Sequence, residues 1–219
     1  KELSFAGDPS SDQCNFIISG DRRRASQGFF FYLNSHQGDW DLIRLKEIPS
    51  ETAVARKILE ILKVAGYRYR VRNCDVSPFI TLPRSWETYF KSLSRSFRKK
   101  IRKYFRRLKK YGTYELKEIP LGPDLWKSME AISRRSPKFE TGITMAERPR
   151  ALAFLKQLLP RLQAKGWMKF TLLTVSGKPI SYDLAFRYMG TIWSYKAAFA
   201  KEYAAAAPGH LQLALLIED

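Results

Sequence analysis

Histidine and cysteine are the scarcest of the chemistry-bearing residues here, and that scarcity removes whole classes of enzyme. The 219 residues hold only His36, His210, Cys14 and Cys74. The cysteines lie far apart, with no CxxC pair or metal spacing, so no zinc set can be assembled. No Ser-His-Asp or Cys-His arrangement has a supporting motif, and Ser176-Gly177-Lys178 lacks the preceding glycine of a phosphate-binding Walker loop. Apolar runs stop well short of the ~20 residues that cross a bilayer. The start, Lys1-Glu2-Leu3-Ser4-Phe5, shows no apolar leader. With so few cysteines, the expected compartment is reducing and cytoplasmic, at most peripheral at the inner membrane surface. Acidic residues are also short, with 21 Asp and Glu against 39 Lys and Arg, a net charge of +18. Such a field favours anionic partners without choosing among nucleic acid, acidic lipid, acidic polysaccharide and phosphate-bearing cofactors.

What is present is a globular composition, 45% hydrophobic and 14% aromatic, enough for a sizeable core. Residues 28–34 (GFFFYLN) and 40–45 (WDLIRL) read as strands around a turn at Asn34–Asp39. Ser50 reads as the N-cap of a helix through Ala65, stopped by Gly66. Extended stretches follow at 67–72 and 77–82. Ser85 and Ser94 read as caps of two helices, the second running to Tyr111 and ended by Gly112. A strand near 114–119 leads to helices over about 124–135 and 146–164, and Pro160 predicts a kink or break in the latter. The strongest β pattern is a meander of 167–175, 179–188 and 191–199, with turns at Ser176-Gly177-Lys178 and Met189-Gly190. A helix then begins after Pro208.

Three features could carry chemistry. From Arg95 to Lys110 there are ten Lys or Arg and no acid. Phe97, Ile101, Tyr104, Leu108 and Tyr111 recur at steps of four and three, which predicts an apolar stripe facing the domain and cations facing out. A solvated face, a polyanion site through Arg98, Lys99, Arg102 and Arg106, and a seat on an acidic membrane all fit that pattern. Secondly, Pro208-Gly209 opens a helix whose free amides can meet a phosphate, although Pro-Gly also starts ordinary helices. Thirdly, Asp183 and Lys196 interrupt apolar strands, as functional groups, as structural ion pairs or as residues of an exposed face.

Two blocks of sequence stand at a fixed separation. The first is residues 80–112, ITLPRSWETYFKSLSRSFRKKIRKYFRRLKKYG. The second holds Gly177-Lys178-Pro179-Ile180, then Ser194-Tyr195-Lys196-Ala197-Ala198-Phe199 with Tyr203, and Ala207-Pro208-Gly209-His210-Leu211. Taken together, they resemble the CelD-like GNAT acyltransferases, a family associated by name with cellulose biosynthesis and related to FemAB-type transferases. Ala200 stands where the family usually has Asp, and Ala207 where it has Ser. The resemblance implies an α+β GNAT-like fold, a mixed sheet flanked by helices, in an incomplete tandem arrangement. Residues 1–82 would be the remnant of a first half, and residues 83–219 most of a second, cut inside the helix after the Pro-Gly motif. It implies acyl-CoA, acetyl-CoA first, as co-substrate and no metal. Backbone groups of Tyr195, Lys196, Ala197 and Ala198 would align the thioester, and Pro208, Gly209, His210 and Leu211 would hold the pyrophosphate. Asp183, Glu202 and His210 are the candidates for general base. The expected reaction is acyl transfer to an amine or hydroxyl of a glycan-related or other anionic acceptor. A FemAB-type enzyme drawing on aminoacyl-tRNA, or a non-catalytic basic module for membrane or nucleic acid, are the alternatives.

Overall fold

The computed structural model describes residues 1–6, 11, 13–73, 76–139 and 148–218. Two compact units make up the chain, Lys1–Ile80 and Thr81–Asp219.

In the first unit, β1 (Glu2–Ser4) pairs in parallel with β2 (Leu42–Arg44). Helices α1 (Arg22–Ser35) and α2 (Ala53–Val64) supply its core, where Phe30, Leu33 and Ile58 are buried among Leu3, Phe29, Ile43 and Ile61. The strand expected at 28–34 is therefore helix. The Asp21 carboxylate accepts the amides of Arg23 and Arg24 and starts α1, so Phe29, Phe30 and Leu33 fall on one helical side at steps of one, three and four. Trp40 Nε1 donates to the Leu33 carbonyl at 3.2 Å and ties down the far end. The second helix is capped two residues later than Ser50, by Thr52, whose hydroxyl accepts from Ala55 N–H at 3.2 Å. The stretches 67–72 and 77–82 carry no strand pairing. Cys14 is buried, and Cys74 lies outside the described residues.

The second unit is three layers deep. Its sheet has the order β3-β4-β5-β6 and is antiparallel throughout: β3 (Tyr114–Glu118), β4 (Met168–Val175), β5 (Lys178–Tyr188) and β6 (Thr191–Phe199). The expected meander stands. Its two-residue turns place Ser176 and Gly177, then Met189 and Gly190, at positive φ, the hairpin geometry that matches strand twist. One side of the sheet is covered by α5 (Pro123–Arg134) and α6 (Pro149–Ala164), which bury Leu125, Ile132, Leu155 and Leu159 against Phe170, Leu172 and Leu184. The other side takes α4 (Arg95–Lys109) and α7 (Pro208–Glu218), with Leu108, Leu173, Val175, Ile180 and Leu211 in contact. Helix α3 (Trp86–Ser92) precedes α4. Both start where serine predicted: Ser85 accepts Thr88 N–H, and Ser94 accepts Phe97 N–H. Helix α6 runs through Pro160 without a break. Pro160 and Lys156 are both exposed, so the carbonyl that proline leaves unpaired faces water, while Leu155 and Leu159 hold the opposite side to the sheet. The expected start of that helix at Ala146 lies outside the described residues.

Candidate functional site

The residues singled out in the sequence gather around β6 and the entry to α7. Strand β6 is an edge of the sheet, with no partner on its outer side among the described residues. Its pairing with β5 contains a bulge. Leu184 opposes Lys196 and Ala185 opposes Ser194, so Tyr195 is the extra residue. The insertion reverses the alternation of side chains beyond it. Lys196 shares a side with Leu184, the α5–α6 side, where its ammonium lies 4.8 Å from the centre of the Tyr195 ring and Tyr195 packs on Phe186. Ser194 is turned to the opposite side, together with Asp183.

That turn has a chemical result. Ser194 Oγ donates to Asp183 Oδ1 at 2.8 Å. Asp183 is only 8% exposed, whereas Ser194 is exposed at the strand edge. Burial raises the Asp183 carboxyl above its ordinary value, and the Ser194 hydrogen bond only partly offsets this. The pair joins an exposed hydroxyl at the strand edge to a desolvated acid. Close by, a polar seam fixes α7 to the sheet. Gln212 Nε2 donates to the Thr171 carbonyl at 2.9 Å and to its hydroxyl at 3.0 Å, and Ser181 Oγ donates to Gln212 Oε1.

Between β6 and α7 runs a 3-10 helix, Lys201–Ala206. It is pinned from both neighbours. Arg135 Nη1 pairs with Glu202 at 2.7 Å, Arg135 Nη2 donates to the Pro179 carbonyl at 2.8 Å, and Arg107 Nη1 donates to the Ala205 carbonyl at 2.8 Å. Ala207 then turns into the left-handed region, φ 49° and ψ 60°, and its carbonyl accepts from His210 N–H at 3.0 Å and Leu211 N–H at 3.3 Å. Alanine at this cap offers no side-chain oxygen. Pro208 has no N–H, and among the described residues no carbonyl accepts from Gly209 N–H. A Cβ built on Gly209 would meet nothing within 4 Å, and Gly209 is exposed. Pro208 and Leu211 are buried and anchor the turn, while His210 is exposed beside the Phe97 and Tyr104 rings, at 6.2 and 5.9 Å.

The three acid–base candidates are thus separated by their contacts. Asp183 is joined to Ser194, Glu202 to Arg135, and His210 to two α4 rings. Ala197 is exposed on the edge and Ala198 is buried behind it. Ser194 and the bulge carried no sequence signal, because an alternating pattern shows an inserted residue only once the partner strand is known. Of the basic residues, Lys99, Arg102 and Arg106 are exposed, with Arg102 5.2 Å from the Phe90 ring centre. Arg98 is half-buried: its Nη1 donates to the Lys91 carbonyl at 2.7 Å and to the Leu93 carbonyl, closing the end of α3. No group of three or more metal-ligating side chains occurs among the described residues.

An antiparallel meander with an irregular edge strand thus leads into a helix of whose first amides only that of Gly209 has no carbonyl partner among the described residues. The acetyltransferase (GNAT) domain family matches residues 95–219, and the chain belongs to that family. A solved structure, described as "The structure of L-PGS from Bacillus licheniformis", is similar at 14% identity with a TM-score of 0.48, over 89% of this chain and 55% of that one. The chain therefore spans about half of that protein's length. No curated protein matches.

Proposed function

We propose that the Thr81–Asp219 unit transfers an acyl group, acetyl first among the candidates, from acyl-CoA to an amine or hydroxyl of a glycan-related or other anionic acceptor, in the manner of CelD-like members of the family. The observation that carries this reading is the Asp183–Ser194 pair. A carboxyl that burial holds above its ordinary range, reached through a hydroxyl on an open edge strand, is suited to accept a proton from an acceptor at that edge. Glu202 is paired with Arg135 and His210 is exposed beside two α4 rings, whereas Asp183 is desolvated and joined to an edge hydroxyl, and in this reading it takes the role of base.

The residues around Gly209 suit acyl-CoA. Gly209 N–H, exposed and without a carbonyl partner among the described residues, lies at the positive end of α7, where a phosphate is favoured, and the outer side of β6 at Lys196–Ala198 pairs with no strand among the described residues. When bound, acyl-CoA supplies an activated thioester carbonyl. The protein's own part is positioning and proton transfer. Ser194 Oγ takes a proton from the attacking amine or hydroxyl while passing its own to Asp183 Oδ1; as the new bond to the acyl carbon forms the thioester C–S bond breaks, and the proton returned from Asp183 lets CoA leave as the thiol. The rigidly pinned 3-10 helix holds Gly209 at a fixed distance from the strand. A single anion at a helix N-terminus gains only about 0.3–1 kcal/mol, or ~2 when partly buried, so apolar contact along Tyr195 and Phe199 must contribute the rest.

Calorimetric titration of the protein with acetyl-CoA, longer acyl-CoAs and CoA tests the donor. Saturable binding that weakens in Gly209→Val is the expected result. Absence of binding to every acyl-CoA would end the proposal, and undiminished binding in Gly209→Val would move the phosphates elsewhere.

A further inference from the structure

Helix α4 presents more charge than its own fold uses. Of the ten cations from Arg95 to Lys110, Arg98 closes α3, Arg107 holds the 3-10 helix and Arg102 rests on Phe90. The other seven are exposed, and no carboxylate among the described residues pairs with any of the ten. At 100° per residue, Arg95, Lys99, Lys103, Arg106 and Lys110 fall within an arc of about 80°, a line along the outward side of the helix. With a rise of about 1.5 Å per residue they span about 22 Å at steps of about 4.5–6 Å. Beside that line lies a groove lined by Lys99, Lys100, Arg102, Lys103, Phe105 and Arg106.

We infer that this line is a docking track for a single-stranded nucleic acid, with the cations following successive phosphates and the groove taking a base against Phe105. A stripe of cations beside a shallow depression on the same helix, where Phe105 is half-buried against Tyr114 and keeps part of its ring exposed, is a combination that tracks a flexible phosphodiester strand. A membrane seat fits less well. An interfacial helix inserts its apolar side, but the apolar side of α4 is committed to the sheet, with Ile101 3% and Leu108 0% exposed, and the outward line carries no apolar residue. The inference stands apart from the acyl-CoA reading, since it uses none of the same residues.

Fluorescence anisotropy with a labelled 20-nucleotide oligouridine tests it, using this protein and two triple variants of equal charge change. Five engaged phosphates predict a log–log salt slope of about −3.5. K99Q/K103Q/R106Q should flatten the slope by about 2 and weaken binding at least tenfold at 100 mM salt. K127Q/K156Q/R161Q, on exposed positions of α5 and α6, should change neither. Thermal melts of all three proteins check that folding is intact. Equal losses in both variants would mean that the net charge alone binds, and would overturn the track. So would tighter binding to a 20-base-pair duplex, to phosphatidylserine vesicles or to alginate than to the single strand, or no oligouridine binding at 50 mM salt.

Discussion

Asp183 is held in a position that makes two opposite demands on one carboxyl. Its raised pKa means that the folded protein favours the protonated form, so the ionised form costs stability. The contribution is fully present below the ordinary value of 3.8 and is lost as pH rises through the higher folded value. Asp183→Asn keeps an oxygen to accept from Ser194 and removes the charge. We expect its thermal stability at pH 7 to equal or exceed that of the parent, with the gap closing below about pH 4, while acyl transfer falls by about 10²–10⁴. A variant that is less stable at neutral pH would show that the ionised carboxylate is structural. The acid limb of the pH–rate profile should also flatten in Asp183→Asn, a change that simple loosening of the fold would not produce. Gly209→Val makes a complementary test. Its φ is not in the left-handed region, a side chain there has open space, and valine is no worse than glycine in a helix. Stability should hold within ~0.5 kcal/mol while CoA affinity drops, and a lower melting temperature would undo the separation of binding from folding.

Among the elements, α4 illustrates how an apolar stripe and a cationic surface divide one helix. Ile101 and Leu108 are buried, whereas Phe97 and Tyr104 are only half-buried and Tyr111 is exposed. Charge at Ile101 should therefore cost more than charge near either end. Ile101→Asp is expected to destabilise by about 3–4 kcal/mol in urea titration, and a loss under 1 kcal/mol would contradict its burial. The elements most legible in the sequence were those whose punctuation is local. Ser85 and Ser94 cap, Gly66 and Gly112 stop, and the Ser176-Gly177 and Met189-Gly190 pairs demand left-handed backbone that only a few turns accept. Where the deciding partner is distant, the sequence misleads. Gly28-Phe29-Phe30-Phe31 looks like strand until Asp21 caps a helix and α2 receives its side chains. The Pro160 helix survives because its broken turn faces solvent. The site divides the same way. Pro208-Gly209 and the β6 residues were visible as a pattern, but the Tyr195 bulge, and with it the Ser194–Asp183 contact, depends on the register of another strand. Ser194→Ala should abolish transfer with the sheet's circular dichroism retained. Retained activity in Ser194→Ala would remove Ser194 from the proton path.

For the molecule as a whole, the division at Ile80 and Thr81 predicts where it can be cut. Residues 76–83 have no regular structure, and Phe79 is 89% exposed, so brief chymotrypsin treatment should nick there first. The Thr81–Asp219 unit has its own core on both sides of its sheet, and the nicked product should keep its melting transition. First cleavage within β4–β6 would mean that the sheet is not the stable body described here. Strand β6 carries one last implication, for handling rather than for chemistry. An edge left open to a ligand is equally open to the same edge of a second copy, and Ile192 and Trp193, 40% and 45% exposed, make its outer end adhesive. The guards are a kink at Tyr195 and the strong mutual repulsion of a +18 chain. Salt that screens that repulsion should turn a clear solution cloudy before it unfolds anything.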